Sequence, residues 1–330
     1  MKSKIEIVKS RIKGSVFGVA VVDALGGPVE FQPRGSFEPV SDFQYNFNFD
    51  VPPGTWTDDT SMTLCLAKAL IDSQGRFVVQ AAIHNYVKWH DNGYLSATGH
   101  CFDIGFCTAQ ALRTWQKYFI RNPGIQKDDP AGHEAGQSAI DQALKREKYC
   151  GNGSLMRVSP IGLVYFRDIN QALENAAASS DVTHPYPTCA ECCEIYTKLI
   201  VRAMNNATKE DLAAEVAATM FRDSKIKDRL LRYKSLQDWQ ATPEHDIDSL
   251  GYVLSTLEAA LWSFFTTSTF ESGALRAVNL GCDADTVGAV YGGLAGAFYG
   301  MGEIPSRWVE ALQKKEVIEE IASGLASLGQ

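Results

Sequence analysis

An all-α fold is what this sequence predicts, and three observations carry that expectation. Apolar residues recur at three- and four-residue spacing through nearly every periodic segment, as on a helix with one buried face. Alternating, β-branched runs of the strand kind are almost absent. No low-complexity tract, fixed-period repeat or linker divides the chain, so residues 1–330 are expected to form a single compact multi-helix domain. That length sits near the upper limit for one core, and the hydrophobic content of 45% is enough to fill it.

In chain order, the first helix is expected over residues 5–24, stopped by Gly26-Gly27-Pro28. Apolar periodicity then marks 59–72 and 76–89, and further helices are expected near 103–119, 134–148, 186–204, 208–220, 247–266, 283–300 and 307–326. The stretch 37–50 is the one place where a brief strand pairing is expected. Two helices carry glycines that helix propensity disfavours. Gly288, Gly292, Gly296 and Gly300 recur every four residues and line one face, as do Gly14 and Gly18 in the first helix. Each interior glycine costs roughly 1 kcal/mol relative to alanine, so a compensating gain is required. Close approach of another backbone supplies it, which puts these helices in a tightly packed centre.

Composition excludes several classes of function. A net charge of -8 argues against a nucleic-acid surface, which is normally basic. No apolar run reaches about 18 residues without a charge, so a membrane span is not expected. The basic start lacks a small-residue cleavage site after its apolar run and reads as an ordinary buried helix. Of the eight cysteines, only Cys189, Cys192 and Cys193 cluster. His184 alone does not complete a zinc site with them, so they read as small buried residues on a helix. Unpaired thiols without an export signal point to the cytoplasm.

Two acidic motifs stand out. Thr57-Asp58-Asp59-Thr60 opens one helix, and Asp283-Ala284-Asp285-Thr286 opens the glycine-faced one. Helix capping is the bland explanation for either motif alone. A cap, however, needs one side chain, and here two carboxylates and at least one threonine crowd each helix start, which leads into apolar sequence. Four carboxylates brought together raise one another's pKa values until some are neutral. Divalent cations remove that penalty, and an oxygen-only ligand set suits magnesium, manganese or calcium rather than zinc or copper. Two metals sharing one carboxylate would use all four aspartates. A third segment, Gly151-Asn152-Gly153-Ser154-Leu155-Met156-Arg157, is a glycine turn whose exposed N–H groups could cradle a phosphate. On its own, that segment is better explained as a simple turn.

Taken together, these motifs resemble the ADP-ribosylglycohydrolase family. The likeness runs in order through Gly18, Asp23-Ala24-Leu25-Gly26 and Glu30, then Trp56-Thr57-Asp58-Asp59-Thr60 and Gly99-His100-Cys101-Phe102-Asp103-Ile104-Gly105. It continues through Gly151 to Arg157, Thr183-His184-Pro185 and Gly281-Cys282-Asp283-Ala284-Asp285-Thr286. The resemblance implies an all-α domain with a dinuclear magnesium or manganese centre. Thr57, Asp58, Asp59 and Asp285 would hold one ion, and Asp283, Asp285 and Thr286 the other. Glu30 is implied as general base, and Asp103, in a segment similar to the arginine-directed branch, as the group facing the leaving side chain. Gly105, Gly151, Asn152, Gly153, Ser154 and His184 are implied to bind substrate. Asp23 reads as structural, tying the end of the first helix. Cys282 stands where many members have glycine, and little effect on metal binding is expected from so small a side chain.

The expected activity is therefore release of ADP-ribose from an ADP-ribosylated protein, with arginine the preferred acceptor and serine the runner-up. A non-catalytic ADP-ribose-binding or toxin-immunity protein is the alternative of a different class. Two Mg2+ or Mn2+ ions, an ADP-ribosylated protein substrate and a monomeric chain complete the expectation.

Overall fold

A computed structural model describes residues 3–124 and 130–328. Sixteen α-helices are present among the described residues. They are α1 (Lys4–Gly26), α2 (Asp58–Asp72), α3 (Val79–Asn92), α4 (Phe106–Arg121), α5 (Pro130–Leu144), α6 (Ser159–Val164), α7 (Ile169–Asp181) and α8 (Pro187–Met204). There follow α9 (Lys209–Ala217), α10 (Ser224–Leu230), α11 (Leu236–Ala241), α12 (Val253–Phe265), α13 (Phe270–Val278), α14 (Ala284–Tyr299), α15 (Ser306–Ala311) and α16 (Lys315–Leu328). The all-α expectation is met: no strand occurs among the described residues, and β pairing is limited to two isolated bridges. One of them, Asn46 with Val51, is all that comes of the pairing expected near 37–50.

Where helix limits depart from the periodic pattern, backbone geometry gives the reason. The helix expected at 103 starts at Phe106 because Asp103 holds a left-handed φ of 59° and Gly105 is extended. The pattern over 307–326 is broken in two, with Leu312 extended and Lys314 at φ 46°. Five helices went unmarked by the periodicity: α6, α7, α10, α11 and α13. Most of these are short, and their starts rest on side-chain caps, such as Asp168 accepting from the Gln171 N–H and the Thr269–Ser272 capping box.

The centre is the pair α1 and α14, which share the most extensive helix–helix contact. Apart from Lys13, every residue of α1 from Ile12 to Gly26 is buried. By length and composition α1 could cross a bilayer, but its apolar surface is spent inside the protein. The glycines make this possible. A Cβ on Gly292 would sit 2.0 Å from the Gly18 carbonyl oxygen, and one on Gly296 1.9 Å from that of Gly14. Gly300 is not within the helix but just past its end, at φ 84°. At the other end of the seam, a Cβ on Gly26 would lie 2.5 Å from Asp285 Cα. The backbone contact thus sets Asp285, in the first turn of α14, against the last turn of α1. The eight cysteines are all free, and Cys189, Cys192 and Cys193 are buried on α8.

Candidate functional site

Asp23, one turn from the end of α1, organises the start of α2. Its carboxylate accepts from the Thr57 N–H at 3.0 Å, the Thr57 hydroxyl at 2.9 Å, the Thr60 N–H at 3.1 Å and the Thr60 hydroxyl at 2.5 Å. Four donors saturate a carboxylate. Asp23 is therefore a cap supplied to α2 from another helix, and its lone pairs are used although it lies near Asp59 and Asp285. With that cap in place, neither acidic motif caps its own helix. No side-chain cap bond comes from Thr57 at α2 or from Asp283 at α14. The bland explanation of the two motifs is thereby removed: Asp58, Asp59, Asp283 and Asp285 are free of capping duty.

These carboxylates line or back one wall of a cavity of about 740 Å³. Glu30, Asp58, Asp103, Asp283, Asp285 and Thr286 face it. Opposite stand Gly151, Asn152, Gly153 and His184, with Gly105 at the edge. Phe31, Phe106 and Leu250 surround it with their side chains largely exposed. Thr57, Asp59 and Ser154 do not line the cavity. Thr57 and Asp59 are buried behind the acidic wall, joined by a 3.2 Å hydrogen bond. The Ser154 hydroxyl is turned to Ser180 at 2.8 Å and to the Cys193 thiol, which leaves only the backbone of that residue available to a ligand.

The acidic wall is electrostatically unsatisfied. Glu30 is pushed up to about 11, by burial first and then by the charges of Asp103 and Asp283. Burial raises Asp103 to about 7, against a hydrogen bond from Glu30 that favours its charged form. Both carboxyl groups are thus pushed toward the neutral form, Glu30 the more strongly. Burial and neighbouring carboxylates hold Asp58, Asp59 and Asp285 well above the usual carboxylate range. Asp283 is raised by burial despite the 2.6 Å hydrogen bond donated by the Asn152 amide, which also donates to the Thr256 hydroxyl. Oε2 of Glu30, Oδ1 of Asp59, Oδ2 of Asp103 and Oδ1 of Asp285 are all buried without any hydrogen-bond partner. One carboxylate oxygen from each of Glu30, Asp103 and Asp285 falls in a group whose members lie within 4.8 Å of one another. Lys148 is the only lysine or arginine lining the cavity among the described residues.

Backbone strain gathers around the same wall. Phe31, Asp103 and Cys282 are non-glycine residues at φ 64°, 59° and 58°. The Phe31 N–H donates to the Cys282 carbonyl at 2.7 Å, and the Cys282 N–H to that of Gln32 at 2.7 Å. This two-bond clasp holds Glu30 and Asp283, the neighbours of Phe31 and Cys282, at the cavity. Such conformations persist where surrounding structure over-determines them. Asp103 does not cap α4, whose N-cap is Gly105 without a side-chain bond. Sequence reasoning missed three features: the reach of Asp23 across to α2, the bridge from Asn152 to Asp283, and the polar chain behind His184. All of these residues lie inside the motifs quoted above, but nothing in their spacing signals which partner each one reaches.

A fold of packed helices around a deep acid-lined cavity fits a hydrolase, and comparison with known proteins names the family. The family profile described as ADP-ribosylglycohydrolase matches residues 5–330. The chain belongs to that family and is a glycohydrolase. Among its relatives is ADP-ribosylarginine hydrolase Tri1 of Pseudomonas putida (strain GB-1), 34% identical over 96% of this chain and 77% of that protein. ADP-ribosyl-[dinitrogen reductase] glycohydrolase of Rhodospirillum rubrum is 26% identical over 98% of each chain. A solved structure, titled ADP-ribosylglycohydrolase-related protein complex, superposes with a TM-score of 0.78 at 34% identity, covering 98% of this chain and 100% of that one.

Proposed function

We propose that this enzyme releases ADP-ribose from an ADP-ribosylated protein side chain, arginine in preference to serine, with a two-ion magnesium or manganese centre on the acidic wall. The observation that carries this reading is the set of four buried, partnerless carboxylate oxygens on Glu30, Asp59, Asp103 and Asp285. Each such oxygen costs about 1–3 kcal/mol if left unpaired, more when charged. Oxygen donors without a thiolate or imidazole fit Mg2+ or Mn2+. Thr57, Asp58, Asp59 and Asp285 would hold one ion, and Asp283, Asp285 and Thr286 the other. The Thr57 hydroxyl donates its one hydrogen to Asp23, so its 3.2 Å contact with Asp59 would bring two oxygen ligands to one cation. Bound there, the ions would polarise ribose hydroxyls and make an adjacent water more acidic.

The protein's own groups supply the rest. Gly151 and Gly153 bare the backbone on the opposite wall, and Asn152 fixes Asp283 while standing beside it. His184 and Gly105 border the space left for the pyrophosphate. Glu30 and Asp103 stand side by side at the cavity, where a pair of carboxyl groups can move a proton between water and leaving group. Cations held beside it would favour the ionised form of Glu30, which could then serve as the base for water, and Asp103 would grip the departing guanidinium, a planar cation that a carboxylate holds at two points. Support for arginine comes from the Pseudomonas relative, whose name specifies ADP-ribosylarginine.

The test is ADP-ribose release from arginine-modified and serine-modified protein, with magnesium, with manganese and with chelator. Release should be faster from arginine and lost with chelator. Asp103→Ala should slow arginine turnover about 10²-fold and serine turnover less. Equal losses on both substrates, or a serine preference in the unaltered enzyme, would refute the acceptor assignment. Tight ADP-ribose binding without turnover would favour the non-catalytic alternative.

A further inference from the structure

A buried polar chain ends at the cavity, and its inner members, Arg157 and Thr183, have no part in the scheme above. Arg157 is fully buried and has no carboxylate partner among the described residues. Its guanidinium lies 4.6 Å over the Tyr86 ring and donates to the Ser179 carbonyl at 3.2 Å and to the Thr183 hydroxyl oxygen at 2.7 Å. Thr183 is likewise fully buried, and its hydroxyl lies 2.8 Å from Nδ1 of His184. The His184 N–H donates to the Ser180 carbonyl at 2.8 Å, which fixes the base of the side chain. The far edge of the ring abuts the glycine turn: a Cβ on Gly153 would be 3.3 Å from Nε2 and one on Gly151 3.6 Å.

Donor bookkeeping decides the protonation of this ring. A guanidinium has no acceptor, so Thr183 accepts from Arg157. The hydroxyl has one proton of its own, and Nδ1 of His184 is the remaining polar atom in contact with it. Nδ1 is therefore an acceptor, and in a neutral imidazole the hydrogen must then sit on Nε2. We propose that Arg157 and Thr183 are positioning residues that lock His184 in the Nε2–H tautomer, so that it presents a neutral hydrogen-bond donor to an anionic oxygen of the ligand. The inference rests on the reading of this wall as the pyrophosphate side. Burial and the Arg157 charge push His184 down to about 3, so a cationic ring is not an alternative at neutral pH. The distant charge of Arg157 is thereby delivered to the cavity as the polarity of one N–H, without placing a mobile cation beside the acidic wall.

Ring-nitrogen NMR of the full chain, labelled with 15N-histidine, tests this, together with calorimetric binding of ADP-ribose. The unaltered protein should show a bare Nδ1 and a protonated Nε2 for His184, with the Nε2 signal moving on ADP-ribose addition. Thr183→Val should mix the tautomers and weaken ADP-ribose about tenfold, and Thr183→Ser should restore both. A purely structural role would lower the melting temperature without moving the tautomer. A protonated Nδ1 in the unaltered protein, or Thr183→Val binding weakly with the tautomer unchanged, would overturn the lock. A correct tautomer whose signal ignores ADP-ribose would instead overturn the placement of the ligand on this wall.

Discussion

The two walls of the cavity are built on opposite principles. On the acidic wall, six carboxylates crowd together, four buried oxygens lack partners, and three residues of the surrounding loops hold left-handed backbone. On the histidine wall, the Thr183 hydroxyl, Nδ1 of His184 and the Asn152 amide are each paired within the protein. One wall is incomplete until something positive arrives, and the other is finished and waits for something negative. A ligand that carries a diphosphate and a sugar diol bridges such a pair, and a cation needed only on one side leaves the other free to be preorganised.

The largest expected effect tests the incomplete wall. Asp285 is the acid that belongs to both proposed ion sites, so Asp285→Asn should abolish divalent binding and cut ADP-ribose release by at least about 10³-fold. Calorimetry should count two magnesium or manganese ions per unaltered chain and none in the variant. Without metal, the same change removes one repelling charge and should raise the melting temperature. An unchanged ion count, or zinc bound through cysteines, would show that the aspartates do not form the centre.

Gly153→Val probes the finished wall. A Cβ there would come within 2.9 Å of Cε1 of His184 and of the Thr108 hydroxyl. Both neighbours are buried, so the ring itself must shift. ADP-ribose affinity should fall about 10²-fold, while the calorimetric ion count stays at the unaltered value. The reason differs from a simple block of the ligand: the glycine is needed to seat the histidine. Gly105, by contrast, has no protein atom near its Cβ position, so Gly105→Ala should leave His184 unmoved and weaken ADP-ribose only through the methyl group itself, by less than Gly153→Val. If the two variants behave alike, the contrast between the glycines is wrong.

Acid should push the two walls in opposite directions. Asp103 at about 7 and Asp23 at about 6 have folded pKa values raised above the unfolded one. Their stabilising contribution is complete at low pH and disappears as pH climbs through the folded values. Metal-free protein should therefore gain about 2 kcal/mol from Asp103 and Asp23 on going from pH 8 to pH 6, and more from Glu30, which is pushed to about 11. His184 has the reverse sign, since its folded value of about 3 lies below the ordinary 6.5. Below pH 6.5 the unfolded chain takes up a proton that the folded one refuses, and stability falls by up to about 1.4 kcal/mol per pH unit. Melting temperatures should climb from pH 8 to pH 6.5 and climb less steeply below it, and His184→Gln should restore the steeper climb below pH 6.5 alone. Saturating magnesium should remove the rise between pH 8 and pH 6.

Much of this was legible in the sequence, for physical reasons that also mark where legibility stops. The glycine spacing in α14 and α1 was readable because a repeated propensity penalty on one face implies a backbone contact. The clustering of Asp58, Asp59, Asp283 and Asp285 was readable because a helix start needs one cap and had several candidates. What could not be read was which acid would do the capping. Asp23 takes that duty across 34 positions of sequence, a contact that depends on the α1–α14 seam and on no local pattern. The hydroxyl of Ser154 turns inward for a similar reason, since Ser180 on α7 reaches it and α7 was not foreseen. Short capped helices of six to nine residues give too few turns for periodicity to register.

The smallest expected effect concerns Cys282, where the sequence departs from the glycine common at this place in the family. Size alone suggested that the change would be harmless, but the backbone adds a second consideration. Cys282 sits at φ 58°, and an L-residue there carries about 1 kcal/mol of strain. Cys282→Gly removes that strain but frees the unfolded chain by about 0.5–1 kcal/mol. The two terms nearly cancel, so the melting temperature should move little, and the clasp to Phe31 and Gln32 should keep Asp283 in place. Divalent stoichiometry and ADP-ribose affinity should then match the unaltered protein. Cys282→Val supplies the sharper half of the comparison, because a β-branched side chain resists positive φ far more strongly. Its backbone should pull out of the clasp, shift the neighbouring Asp283, and weaken magnesium binding about tenfold. Should valine prove as harmless as glycine, the left-handed turn is not what holds Asp283, and the hydrogen bond from Asn152 carries that task alone.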